Sequence, residues 1–456
     1  MKAIAIIAVL ICCLLMFVVR REYKAGILIM GTIVFTVVSI PAVPFHKANI
    51  LLPLSFLLSE VKHLNAMIRS TRGKLIWNLM GIAILLSVLT IIASPHLRDA
   101  ESLRIFVQGE LFFKYFVLLY AFWAFSTEES IKPSLRVTFY AMIVLTAFGV
   151  LNSVTKSADF VSLMTQGAAK TTVSFNGEDA GQVYMTSDRF RVQAMFLSPF
   201  DYGYICVLML LLHIYGFIHK YETKIRFYIV ASCCIFGILS CGCRTNIFCA
   251  LIGVSVFFLL AYKFGKSIRL SLLAIFLASI SYMCVPAVQE IFDNMMTMFD
   301  KNSNVTGSSM ELRAVQYAAV LYHIQDNPLL GCGYQYFLID MGWGQGREFL
   351  LDPRLAGLEG VIMNYILERG FIGVFLYLLF YISILYYFYK NRKKASMSIA
   401  FGISVLSVYL AFANMTGELS SVYPTLLLLG YVFKVIDNKR RSGIFIQKKE
   451  KTKEML

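Results

Sequence analysis

Apolar runs of about 17 to 25 residues recur along the whole of this 456-residue chain, and no other feature limits its fold so strongly. A run of that length matches the hydrocarbon core of a bilayer. Inside lipid the backbone must satisfy its own N–H and C=O groups, so the runs read as helices. With 58% apolar and only 15% charged residues, a soluble protein is excluded. The expected fold is all-α: a polytopic membrane helical bundle of about 12–13 transmembrane helices in one domain, 1–436, followed by a basic tail, 437–456. Helices are expected near 3–19, 26–43, 48–61, 75–93, 103–125, 136–152, 195–218, 226–242, 245–262, 268–286, 360–389, 397–414 and 420–436. Pro53 makes 48–61 the weakest of these, a re-entrant or interfacial segment as readily as a span. If it does not span, twelve helices remain and the N-terminus changes side. Lys2 and the run after it read as a first membrane helix, because no small-residue cleavage site follows.

A net charge of +15 would ordinarily raise the question of nucleic acid. Here the positive-inside rule accounts for much of it. Taking alternate connections as cytoplasmic gathers 27 of the 42 basic residues, with only eight of the 27 acidic ones. That asymmetry expects the C-terminus inside, in the cytoplasm. Two long loops, 153–194 and 289–358, and the short connection at Arg244 then share the outer face. The tail reads as polar and unstructured, drawn to anionic lipid.

The chemistry-bearing residues fall on that outer face. Arg244 stands between two apolar runs, in Ser240-Cys241-Gly242-Cys243-Arg244-Thr245. A guanidinium there is costly unless it meets an anion, and its fork suits phosphate oxygens. Snorkelling or a salt bridge is the plainer alternative. Arg189 and Arg191 precede the run that begins near 195 and could equally be surface partners of Asp188. Arg313 opens an amphipathic helix, 313–324, behind Ser309 as N-cap. Glu359, where the second loop returns to the membrane, is the candidate general base; alternatively it pairs with Arg354 or Arg369. Glu110 and Lys114, four apart, read as a structural pair, and Asp201 and Glu418 are weaker candidates.

Other chemistries lack their residues. No Asp-x-Asp, paired outer histidines, serine elbow or Walker loop occurs, which disfavours metal-dependent transfer from sugar nucleotides and ATP-driven transport. Cys241 and Cys243 have no second pair at ligand spacing, and most cysteines sit mid-helix as small hydrophobes.

These pieces together resemble the O-antigen ligase and polymerase family, over roughly residues 75–436. The resemblance rests on Ser240-x3-Arg244-Thr245, on Arg313 followed by Asn327-Pro328-Leu329-Leu330-Gly331-Cys332-Gly333, and on Glu359-Gly360-x9-Gly370-x2-Gly373. In ligases of the family a His followed by Asn, Ser or Gln opens the last motif; Glu359-Gly360 stands there instead, which argues for a polymerase. The arginine-to-glycine spacing of polymerase loops is matched loosely by Arg191 to Gly203 and, with nine residues between, by Arg347 to Gly357.

The resemblance implies a class C glycosyltransferase-like architecture and an inverting, metal-independent transfer that needs no cofactor. The donor would be an oligosaccharide on undecaprenyl pyrophosphate, the acceptor another lipid-linked repeat. Arg191, Arg244 and Arg313 would hold the leaving pyrophosphate and Glu359 would take the acceptor proton. Arg189, Arg347 and Arg354 are secondary cations, and Tyr334, Tyr336 and Trp343 could face sugar rings or simply pack the loop. Membrane lipids and a chain-length regulator protein are the further partners in prospect, and nucleic acid is not one. Two rival readings stay open: a ligase passing glycan to a lipid core or protein, and a lipid-linked oligosaccharide flippase.

Overall fold

The computed structural model describes residues 2–35, 38, 48–156, 185–186, 189–262, 289, 310–336, 352–355, 358–417 and 422–454. Apart from a two-residue hairpin, Met185–Thr186 against Arg189–Phe190, its regular structure is helical. Among the described residues, six helices are long and apolar enough to cross a bilayer: α5 (Leu75–Ala93), α8 (Ile131–Thr155, with the turn from Glu128 before it), α9 (Pro199–Ile218), α11 (Arg244–Ala261), α13 (Val361–Asn391) and α14 (Ser396–Thr416). The chain is a multi-pass membrane protein. Shorter helices complete the described bundle: α1 (Lys2–Val18), α2 (Arg21–Val34), α3 (Ala48–Ser59), α4 (Leu64–Thr71), α6 (Ala100–Val107), α7 (Val117–Ala124), α10 (Lys224–Ser240), α12 (Met310–His323) and α15 (Val422–Glu454). The expected span 268–286 lies outside the described residues.

Helix α9 is the axis. Most of it is buried on every side, as expected for a helix apolar all round and enclosed by other helices. Tyr204 packs on Phe412 and Tyr215 on Phe401, so α9 and α14 run antiparallel. Gly203 lies against Asn246 and Leu211 against Gly253, so α9 and α11 run parallel. The register brings Arg244 to the level of Met415. The starts of α9, α11 and α13 and the end of α14 therefore share one end of the bundle, called here the Arg244 end. Basic residues expected on the other side gather at the opposite end, where Lys74 pairs with Asp437 at 2.7 Å and Lys439 with Glu128 at 3.0 Å.

Three expectations are corrected. The run 103–125 is not one helix: α6 passes into a π-helical stretch, Gln108–Tyr115, before α7. Such insertions cost hydrogen-bond geometry and tend to mark functional sites. The tail is not unstructured, since α15 continues to Glu454. Lys, Glu and Gln are good helix formers, and extending a helix needs no new nucleus.

The third correction shapes the site. The run 360–389 contains a break at Gly370, φ 59° and ψ −166°. On a straight helix Tyr365 and Tyr377 would stand about 18 Å apart, yet their ring centroids are 4.8 Å apart. The segment 361–369 therefore folds back as a roof over the Arg244 end, with Gly360 against the Asn414 carbonyl. The loop after Asn327 supplies the hydrogen bonds lost at the break. Phe371 N–H donates to the Pro328 carbonyl at 2.9 Å, and Cys332 N–H donates to that of Leu367 at 2.7 Å. A Cβ at Gly370 would stand 2.4 Å from the Leu329 carbonyl, and one at Gly331 2.6 Å from the Gly370 nitrogen. This contact is the physical reason for the Asn-Pro-Leu-Leu-Gly-Cys-Gly sequence and for Gly370 itself: irregular backbone at this depth has to be covered by protein.

Candidate active site

Arg244 is the first residue of α11, and Arg191 sits beside it. Val192 N–H donates to the Ser240 carbonyl at 3.1 Å, which ties the stretch after Arg191 to the end of α10. The Arg191 Cγ lies 3.3 Å from where a Cβ of Gly242 would stand. The two guanidinium groups are close enough for their charges to repel. Both are half-buried, and among the described residues neither forms an ion pair. Two helix N-termini border this pair. Ser198 caps α9 by accepting from Phe200 N–H at 3.1 Å, and Asn246 Nδ2 fastens the first turn of α11 to it by donating to the Phe200 carbonyl at 3.1 Å. Uncompensated guanidiniums and helix N-termini at one mouth make a site for an anion.

Arg313 lies in the first turn of α12 and Glu359 one residue before the glycine that starts α13. Their side chains form a short, partly exposed ion pair. Arg313 also donates to the Met415 carbonyl at 2.9 Å. Glu359 thus pairs with Arg313, not with Arg354 or Arg369. Met415 links the two sites, because Arg244 stands at its level on α11. The structure therefore brings Arg191, Arg244, Arg313 and Glu359 to one end of the bundle.

A second cation cluster was only half legible. Glu110 and Lys114 do pair, at 3.3 Å, but Arg369 joins them at 3.0 Å from Glu110, and all three are buried. Lys114 also donates to the Tyr365 hydroxyl at 2.8 Å, and the Arg369 guanidinium lies 4.3 Å from the centroid of that ring. Glu368 accepts from Gln335 N–H at 3.0 Å, joining the loop to the roof. Glu110 thus answers both cations of the cluster. A cavity of about 10 Å³ beside Arg369 and Thr90 has room for one water and none for a sugar. Glu368-Arg369, two adjacent charges inside an apolar run, is the sequence signal for this cluster.

The remaining candidates divide. Arg354 is half exposed, grips Asp352 through two nitrogens and lies over the Tyr322 ring. Its hydrogen bonds hold the Asp352 carboxyl well below the usual carboxylate range. Asp352 also meets His323 at 3.0 Å, and Tyr336 lies 3.4 Å from the other nitrogen of that imidazole. Tyr334 is a wall of the buried cluster, edge-on to Phe106 at 4.7 Å, with its N–H donated to Ser94. Only the backbone of Arg189 is described, in the short hairpin. Trp343, Arg347 and Glu418 lie outside the described residues. Among the described residues no group of three His, Cys, Asp or Glu side chains gathers as metal ligands.

No curated protein matches the chain. Residues 229–378, from α10 to the middle of α13, match a family model described as Wzy_C, O-Antigen ligase. That stretch holds Arg244, Arg313, Glu359, the loop after Asn327 and the break at Gly370. Over that stretch, about a third of the chain, the protein is similar to the Wzy_C O-antigen ligase domain family, which includes both Wzy polymerases and O-antigen ligases.

Proposed function

We propose that the protein is a polysaccharide polymerase, transferring a glycan from undecaprenyl pyrophosphate to the terminal sugar of another lipid-linked repeat on the outer face of the cytoplasmic membrane. The observation that carries this reading is the Arg191–Arg244 pair, two neighbouring guanidiniums that form no ion pair among the described residues. A lipid diphosphate supplies the missing negative charge. In the transfer, an acceptor hydroxyl attacks the anomeric carbon from the face opposite the leaving group, so the configuration inverts. The bond from that carbon to the phosphate oxygen breaks, and the polyprenyl diphosphate leaves with the bonding pair. Arg191, Arg244 and Arg313 stabilise the charge that develops there. Glu359 takes the hydroxyl proton.

The test is the purified protein supplied with a synthetic lipid-linked repeat as both donor and acceptor. A ladder of lengthening chains is expected from wild type and none from Arg244→Ala or Glu359→Gln. Wild-type ladders from both variants would refute these roles. Glycan moving only to an added lipid core or protein acceptor would instead make the enzyme a ligase, a role the family also includes.

A further inference from the structure

The same two residues asked to hold the diphosphate and to take the proton are bound to each other. Arg313 closes on Glu359, so the carboxylate that would receive the acceptor proton is occupied by a guanidinium, and the guanidinium that would hold a diphosphate is occupied by a carboxylate. Arg313 has a second anchor on another helix, the Met415 carbonyl at 2.9 Å. Glu359 sits in the connection leading into the roof, just before Gly360, whose φ is 97°. Loss of the ion pair therefore leaves the guanidinium still held by the Met415 carbonyl.

We infer that the Arg313–Glu359 pair is a latch opened by the donor: the lipid diphosphate displaces Glu359 from Arg313, and only then does the carboxylate face the acceptor hydroxyl. This deepens the polymerase reading and rests on it. The latch makes acceptor activation follow donor loading, so the base stays occupied while no diphosphate is present. It also makes Glu359 a competitor of the diphosphate for one cation. A base lacking that contact would have no effect on donor affinity.

The experiment measures binding of undecaprenyl pyrophosphate to the full-length protein in phosphatidylcholine nanodiscs. Glu359→Gln is expected to bind the lipid diphosphate about three- to tenfold more tightly than wild type, since one competing ion pair is removed, while turnover is lost. Glu359→Asp, with a shorter reach to Arg313, should give a smaller gain. Arg313→Gln should bind more weakly, and adding Glu359→Gln to it should give no gain. Melting in the same nanodiscs checks that each variant is folded. Equal or weaker binding by both folded Glu359 variants would overturn the latch, as would a gain from Glu359→Gln that persists without Arg313. The site reading fails separately, if Arg244→Ala leaves the affinity unchanged.

Discussion

Two clusters of cations lie near the Arg244 end of the bundle, and they differ in charge balance rather than in residue type. Around Arg369, the Glu110 carboxylate answers both Arg369 and Lys114, and these three side chains are no more than 11% exposed. Around Arg244, the Arg191 charge lies close enough to repel it, and neither guanidinium forms an ion pair among the described residues. Bringing charges together in a low dielectric is expensive unless they neutralise one another. The balanced cluster has met that condition within the protein and reads as a clasp between the π-helical stretch, the roof and the loop after Asn327. On the proposed reading, the unbalanced one meets it when the lipid diphosphate binds. An intramembrane arginine is informative, then, chiefly through what it lacks.

The comparison breaks or holds on paired substitutions. The largest effect is expected from Arg191→Ala with Arg244→Ala: elongation should fall at least about 10³-fold, with two stabilising donors gone. Melting should stay at or above the wild-type temperature, because a repulsion is relieved. Arg369→Met should do the reverse, destabilising the fold by about 3–5 kcal/mol because Glu110 is left buried with fewer partners. Calorimetric melting beside a chain-length assay separates the two cases. If the Arg244 variant unfolded and the Arg369 variant merely lost turnover, the two clusters would have to exchange roles. Next in size is Gly370→Ala, expected to cost about 2–4 kcal/mol from the left-handed backbone and the approach of the Leu329 carbonyl. A much smaller melting shift would mean that the roof does not depend on the loop that braces it.

Much of this contrast was visible in the sequence, though not its geometry. The span Leu75–Ala93 emerges to the residue, because an unbroken apolar run admits one reading. Arg244 stood out because a charge between two apolar runs needs a reason. Arg313 and Glu359 each stood out, but their pairing did not. They are 46 residues apart, and proximity along the chain offered Arg354 and Arg369 to Glu359 instead. The break at Gly370 was hidden for a related cause: one glycine in an apolar helix is common, and only contact with Leu329 and Leu330 shows that it must be a glycine. Glu110 and Lys114 announced themselves by their spacing, whereas their partner Arg369 comes from across the fold. Local patterns were legible. Contacts that close across tens or hundreds of residues were not.

The smallest expected effect comes from a third arginine, Arg354, which sharpens the contrast because it is paired and exposed at once. Its partner Asp352 is held well below the ordinary carboxylate range, first by the Arg354 side-chain hydrogen bonds and then, against burial, by the Arg354 backbone N–H and by His323. A carboxyl depressed in the folded state binds fewer protons there than in the unfolded chain, so it stabilises the fold above its unfolded pKa of about 3.9. That contribution fades as the pH falls below this value and through the lower folded pKa. At neutral pH, Arg354→Ala should leave elongation within about twofold of wild type, as for most exposed ion pairs. Its melting temperature should sit slightly below wild type by an amount constant from pH 8 to about 5, then converge with wild type in stronger acid. A gap that widened on acidification would mean that Arg354 stabilises the loop through something other than the Asp352 charge. A large loss of elongation at neutral pH would move Arg354 from the loop's own packing into the company of Arg244.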